Sequence, residues 1–205
     1  MYFRFIVYLL VITACGSTRA DSYVDFFRAV NVDNDRTVSE LLARGFDPNT
    51  KSESGQVALF LAMRDDAPKV AAALLASPAL NVDAANATGE TPLMMAALKG
   101  RLGWAKKLIE RGAKVHKPGW APVHYAATGP NTELLAMLLD RGADINALAP
   151  NRNTPLMMAA RYGPENNVKL LVQRGADKKL INERNLSAAD MAKTGERTWL
   201  VPLLQ

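Results

Sequence analysis

The sequence predicts an all-α solenoid of stacked helical units, and three observations predict it. Thr91-Pro92-Leu93-Met94-Met95-Ala96-Ala97 recurs as Thr154-Pro155-Leu156-Met157-Met158-Ala159-Ala160, with a looser copy, Ala121-Pro122-Val123-His124-Tyr125-Ala126-Ala127, between them. Weaker copies begin at Val57 and Ser187, so the starts at 57, 91, 121, 154 and 187 are spaced 34, 30, 33 and 33 residues apart. Apolar pairs at Leu74-Leu75, Leu108-Ile109, Leu138-Leu139, Leu171-Val172 and Leu203-Leu204 keep an offset of 17 from those starts, counted to Leu74, Leu108, Leu138, Leu171 and Leu204. Self-similarity at such a period marks a repeat architecture. A constant internal offset with a variable outer step describes a rigid helical unit joined by an adjustable loop. The 30-residue step falls at Gly112–Gly119, where a loop three residues shorter is expected.

Composition agrees with a globular core. The chain has 205 residues, 49% hydrophobic and 22% charged, with a formal net charge of +5. Disorder on the scale of the whole chain needs lower apolar content and more net charge. A charge of +5 is too mild to specify a partner and serves solubility. Cys15 is the single cysteine, which excludes a disulfide framework or a cysteine-based metal cluster. With His116 and His124 the only histidines, neither a metal nor a cofactor is expected.

The first element is read as an export signal over Met1–Ala20. Arg4 supplies a basic start and Phe5–Ile12 an unbroken apolar run, too short for a membrane span of about 20 residues. Thr18-Arg19-Ala20 puts small residues where a signal peptidase reads, giving cleavage before Asp21. Ile12-Thr13-Ala14-Cys15 is alternatively a bacterial lipobox, which would make Cys15 a lipid-bearing N-terminus and the only link to a membrane. The two processing readings stay open, and both place the mature chain in the periplasm.

Each position of the repeat has a physical task. Thr91 and Thr154 can accept from exposed backbone N–H groups at the start of a first helix. The proline that follows fits the first turn, where its missing N–H costs nothing. Leu93, Leu156 and the alanines point into the stack. Gly112, Gly142 and Gly175 are placed to turn left-handed and cap the second helix. The Asp/Asn-containing segments after them can form tight turns.

These residues resemble the ankyrin repeat, a 33-residue unit carrying T-P-L-H-x-A. Arg111-Gly112-Ala113, Arg141-Gly142-Ala143-Asp144-Ile145-Asn146 and Arg174-Gly175-Ala176-Asp177 look like the family's G-A-D-x-N ending, and Arg44-Gly45-Phe46-Asp47-Pro48-Asn49 is a variant. The resemblance covers roughly residues 24–204. It implies an ankyrin-repeat solenoid of helix-turn-helix units with projecting β-hairpin loops over 21–205. An N-cap over about 21–52 would lead four full repeats at about 53–85, 86–116, 117–149 and 150–182, closed by a C-cap at 183–205. Met94 and Met157 stand where the family usually has histidine, so those junctions are expected to rely on packing; His124 keeps it.

Catalytic templates fail. No G-x-x-x-x-G-K-[ST], G-x-S-x-G or H-E-x-x-H pattern occurs. Asn31–Asp35 has Arg36 where a calcium loop needs glycine and Leu42 where it needs the closing glutamate, so it reads as a helix-to-helix turn. Lys106, Lys107, Lys114, Lys117, Lys178 and Lys179 are interrupted by acids and lack stacking aromatics, so nucleic acid is not expected. Trp104 and Trp199, on second helices, are read as core.

The resemblance instead implies a monomeric, non-catalytic module that binds a protein through a concave surface of hairpin tips and first-helix faces. The family's contact positions fall here on Gln56, Arg64 and Asp65, then Glu90, Leu98 and Lys99. They continue with Lys117, Trp120 and Thr128, and end with Asn153, Arg161 and Tyr162. Trp120 stands out because Trp, Tyr and Arg dominate binding hot spots. Two other functions stay in play: an immunity-type inhibitor of a toxin enzyme, and an envelope-anchored structural lipoprotein.

Overall fold

A computed structural model describes residues 21–205, so the segment read as an export signal, with Cys15 in it, lies outside the described residues. The described residues divide into two compact units, 21–81 and 82–205. Among the described residues the regular structure is helical, with one isolated antiparallel bridge, Lys51 to Val57.

In the first unit, helical backbone over 21–31 (α1) is followed by α2 (Asp35–Ala43), α3 (Ala58–Asp65) and α4 (Pro68–Ala76). The Asn31–Asp35 segment is the helix-to-helix turn. Asn34 Oδ1 accepts from Thr37 N at 3.1 Å to cap α2, and Asp33 Oδ1 accepts from Val70 N at 2.9 Å to cap α4. Phe26 stacks on Phe46 at 4.4 Å between ring centroids and is fully buried, so this unit has an aromatic core of its own.

The second unit holds α5 (Pro92–Leu98), α6 (Leu102–Glu110), α7 (Pro122–Thr128), α8 (Thr132–Asp140), α9 (Pro155–Tyr162), α10 (Glu165–Gln173), α11 (Ala188–Thr194) and α12 (Val201–Leu204). A short inner helix alternates with a nine-residue outer one in three successive pairs. The inner layer packs α5 on α7, α7 on α9 and α9 on α11, while the outer layer packs α6 on α8 and α8 on α10. Leu93, Met94, Ala96, Val123, Ala127, Leu156, Met157 and Ala160 are buried in the inner layer, and Leu108, Leu134, Leu138 and Leu171 in the outer one. One pair exposes an apolar stripe, and stacking closes it into a continuous core.

The inner helices start alike. Thr91 Oγ1 accepts from Met94 N at 3.4 Å and Thr154 Oγ1 from Met157 N at 3.2 Å. The residue three positions on reaches back: Met94 Sδ accepts from Thr91 N, His124 Nδ1 from Ala121 N, Met157 Sδ from Thr154 N, and Asp190 Oδ2 from Ser187 N. This is the geometry of a capping box. The thioethers therefore keep half of what the histidine does; what they lack is the bond to the next repeat described below.

The inner helices end on side chains supplied by the following unit. Asn131 Nδ2 donates to Gly100 O at 3.1 Å, and Arg197 donates to Ala159 O and Ala160 O at 2.8 and 3.1 Å. Asn167, with no exposed surface, donates to Ala126 O, Ala127 O and Gly129 O at 3.1, 3.0 and 2.9 Å and accepts from Thr132 Oγ1 at 2.7 Å. Orphan carbonyls at a helix C-terminus must find such donors when water is excluded.

The projecting loops are tight turns rather than laddered strands. Three of them are closed by a pair of backbone bonds each: Asn86 N to Glu90 O at 2.9 Å with Gly89 N to Asn86 O at 3.1 Å, Ala149 N to Asn153 O at 3.0 Å with Arg152 N to Ala149 O at 2.8 Å, and Asn182 N to Leu186 O at 3.1 Å with Asn185 N to Asn182 O at 3.0 Å. Arms this short have room for little more. Successive bases are tied by side-chain oxygens: Asp83 Oδ1 accepts from Lys114 N at 3.1 Å, and Asn146 Oδ1 from Asp177 N at 2.9 Å. The shortened loop leaves a cleft on each side, of about 350 Å³ and about 240 Å³, both lined by His116, Lys117 and Pro118.

Trp199 corrects a sequence expectation. It lies in a 3₁₀ turn, Thr198–Leu200, and is 61% exposed, with Arg197 5.8 Å over its ring. Helix α12 follows that turn directly, with Pro202 in its first turn, and Leu200 and Leu204 take the buried positions. Trp104 is half-buried on α6, with Lys107 Nζ 4.5 Å over its ring.

Candidate functional site

On the inner-helix side of the second unit, Leu98, Trp120, His124, Tyr125, Thr128 and Met158 line an apolar depression of about 210 Å³. The register explains it. Leu98 and Thr128 hold the same repeat position on α5 and α7, Tyr125 and Met158 the same position on α7 and α9, and Trp120 precedes the α7 motif. Three successive inner helices thus each place side chains around one hollow.

Trp120 is half-buried and meets His124 edge-on, with centroids 5.4 Å apart and planes at 74°, and Tyr125 likewise at 6.3 Å and 78°. The Tyr125 hydroxyl donates to Glu90 Oε1 at 2.8 Å. Burial works against ionisation of Glu90, but donors from Asn86, Thr88 and Tyr125 outweigh it and hold the carboxyl below its usual range. Burial first, then the Glu90 carboxylate, push the Tyr125 phenol well up, so it stays a donor at neutral pH.

His124 is a structural residue. It has no exposed surface, and its Nε2 faces Ala147 O at 3.0 Å and Asn153 O at 3.2 Å while Nδ1 accepts from Ala121 N at 3.2 Å. These partners assign the proton to Nε2, because a ring nitrogen between two carbonyls must donate. Burial lowers the His124 pKa, against the opposing pull of those backbone bonds and of Asp144. A histidine whose folded pKa is depressed contributes stability that is present above its ordinary value of about 6.5 and is lost as pH falls below it. His124→Met, which copies the neighbouring repeats, keeps the acceptor for Ala121 N but gives up the bond to the next repeat. It is expected to cost about 1 kcal/mol at neutral pH. Chemical denaturation across the acid range should show that deficit shrinking below about pH 6, because only the wild type has a neutral imidazole to protect.

The contact positions read from the sequence separate into groups. Leu98, Trp120 and Thr128 line the depression, and Glu90 fixes its wall through Tyr125. Tyr162 is 59% exposed with the Arg161 guanidinium 5.1 Å from its ring centroid, and Lys99 is exposed; none of the three lines the hollow. Lys117 belongs to the clefts beside the shortened loop. In the first unit, Arg64 and Asp65 form a bidentate pair at 2.7 Å, and Gln56 N donates to Ser52 Oγ at 3.0 Å within its own turn.

Asn153 is 8% exposed and its side chain is used internally, with Oδ1 accepting from Asn182 Nδ2 at 2.8 Å and Nδ2 reaching Met158 Sδ at 3.7 Å, so it lies beneath the surface the other positions form. Sequence reasoning missed Tyr125 and Met158. Their signal was available, since both fall four residues after a motif start, on the helix face that also carries Leu98 and Thr128. Among the described residues no three His, Cys, Asp or Glu side chains are grouped so as to hold a metal ion, and no helix is long and apolar enough to cross a membrane.

Comparison with known proteins places these features in context. The profile of the family described as Ankyrin repeats (3 copies) matches residues 26–118 and 106–182. Protein glp-1 of Caenorhabditis elegans is 27% identical over 181 residues, covering 80% of this chain and 14% of that protein. The B-cell lymphoma 3 protein homolog of Mus musculus is 30% identical over 152 residues, 71% of this chain and 34% of that protein. Poly [ADP-ribose] polymerase tankyrase of Caenorhabditis elegans is 49% identical over 70 residues, 33% of this chain and 3% of that protein. The chain spans well under two thirds of each of these relatives.

Proposed function

The chain belongs to the ankyrin-repeat family, and from that premise we propose that it is a non-catalytic protein-interaction module of the bacterial periplasm. It binds its partner through the inner-helix face of the second unit. The observation that carries this reading is the Trp120–Tyr125 depression: a preformed apolar hollow, walled by aromatic rings and set among exposed polar groups such as Lys99. Apolar centres with polar rims are the anatomy of protein interfaces, and a rigid surface lowers the ordering cost of binding. Residues 1–20 support export, through the basic start, the apolar run and the small residues before Asp21. The mass of the mature chain separates cleavage before Asp21 from lipidation at Cys15.

Trp120→Ala combined with Tyr162→Ala tests the face. Both side chains are partly or largely exposed, so helix content and melting should stay near wild type. Crosslinking in living cells followed by mass spectrometry should show the partner lost from the double variant, by a factor of about 30 or more for two hot-spot truncations. Unchanged capture by the folded variant would refute the face.

A further inference from the structure

Trp120 and Tyr125 form a corner, not a slab: their planes stand at 78° with centroids 6.3 Å apart. Each ring face carries partial negative charge, so two perpendicular faces are suited to enclose a cation. Behind the phenol, Glu90 Oε1 takes the Tyr125 hydroxyl while Oε2 takes Asn86 Nδ2 at 2.9 Å and Thr88 Oγ1 at 2.8 Å. The carboxylate is thereby fixed against the back of the aromatic wall, and its charge polarises the phenol that donates to it. None of the residues lining the hollow is a lysine or arginine. Arg161 lies over Tyr162 and Lys107 over Trp104, and neither lines the hollow.

Building on the protein-binding reading, we propose that this depression receives one lysine or arginine side chain carried by the partner polypeptide, seated in the open angle beside the Trp120 and Tyr125 rings with its charge drawn toward Glu90. The hollow, at about 210 Å³, falls below the roughly 300–1,000 Å³ of sites that enclose a free small molecule, and it is open on one side. It fits the end of a chain-borne group. Leu98 and Met158 take the methylene stem, and the polar end reaches the aromatic corner.

The test uses the full-length mature protein, nitrogen-labelled, with the Trp120 indole N–H assigned by its disappearance in Trp120→Phe. Acetyl-Gly-Lys-Gly-amide and acetyl-Gly-Arg-Gly-amide are titrated against their neutral isosteres, the norleucine and citrulline peptides. The cationic peptides should shift the Trp120 signal with millimolar affinity, about tenfold tighter than the neutral ones. Glu90→Gln should remove most of that ratio while leaving norleucine binding unchanged. Tyr125→Phe, which keeps the ring but cuts its link to Glu90, should reduce the ratio in part and gives a second readout should Glu90→Gln not fold. Equal binding of lysine and norleucine peptides, or no Trp120 shift with any of them, would overturn the proposal. Equal binding would leave the partner-binding reading standing. A cation-selective hollow in a protein that captures no partner in cells would instead sink that reading and keep the site.

Discussion

Asn167→Asp is expected to be among the most destabilising single-atom changes in the second unit at neutral pH. The amide stands in a site with no exposed surface and donates to three carbonyl oxygens at the end of α7, while its own oxygen takes the Thr132 hydroxyl. A carboxylate of the same shape would point negative charge at those three carbonyls. Asn167→Ala removes the donor without adding charge and should cost about 3 kcal/mol, the order for orphaning buried carbonyls. Asn167→Asp should cost more at about pH 7, and the excess should vanish in acid. The sign follows from linkage. The site favours a protonated acid, so the folded pKa of the new carboxyl lies above its unfolded value of about 3.9. Stability is then retained below the unfolded value and lost as pH rises through the folded one. Denaturant midpoints of the two variants, each measured against wild type at the same pH, should converge toward about pH 4. A gap that persists there would contradict the account.

Gly163→Ala should be of similar severity for a different reason. Gly163 has φ −86° and ψ 168°, a conformation open to any residue, so its glycine is not required by the backbone. It is required by distance: a Cβ there would meet Ala127 O at 2.1 Å and Ala159 Cα at 3.0 Å. Both are backbone atoms of packed inner helices and cannot turn aside. Gly129 repeats the arrangement one unit earlier, with Ala97 O at 2.4 Å from a Cβ. Overpacking of this kind costs about 1–3 kcal/mol and more where backbone must move. Gly103→Ala is the control. It lies inside α6 with no atom within 4 Å of a Cβ, and should stabilise by up to about 1 kcal/mol. Thermal melts that rank Gly163→Ala at or above Gly103→Ala would rule out close helix approach as the reason for the glycine.

These two positions show where sequence reading ends. The inner helices were legible because their determinants are local: a Thr or Ser cap, a proline in the first turn and buried residues at fixed offsets. The shortened loop was legible as a 30-residue step, and the turn at Asn31–Asp35 as a failed calcium loop. Asn167 left no such signal, since its carbonyl partners lie 38 to 41 residues away and an asparagine on an outer helix has no local signature. Arg197 caps α9 from 37 and 38 residues away in the same way.

The site was half legible for a related reason. Repeat register picked out Leu98, Trp120 and Thr128, but it is blind to which neighbours turn inward. Asn153 occupies the position of Glu90 and Trp120 in its own repeat, yet folds under the surface to hold Asn182. Tyr125 and Met158, at a position not counted as contact-making, supply the walls. Methionine in place of histidine was read as leaving those repeat junctions to packing, and the reach to the next repeat is indeed absent there; what the reading lacked is that the sulfur keeps the acceptor for the helix cap.

The central claim is that the face containing Trp120 meets a protein partner. A photo-crosslinking amino acid placed at position 120, and separately at position 104 on the outer helix α6, tests it in living cells. The account predicts one dominant adduct from position 120 and none above background from position 104. Equal adducts from both, or none from position 120 in a folded protein, would contradict it.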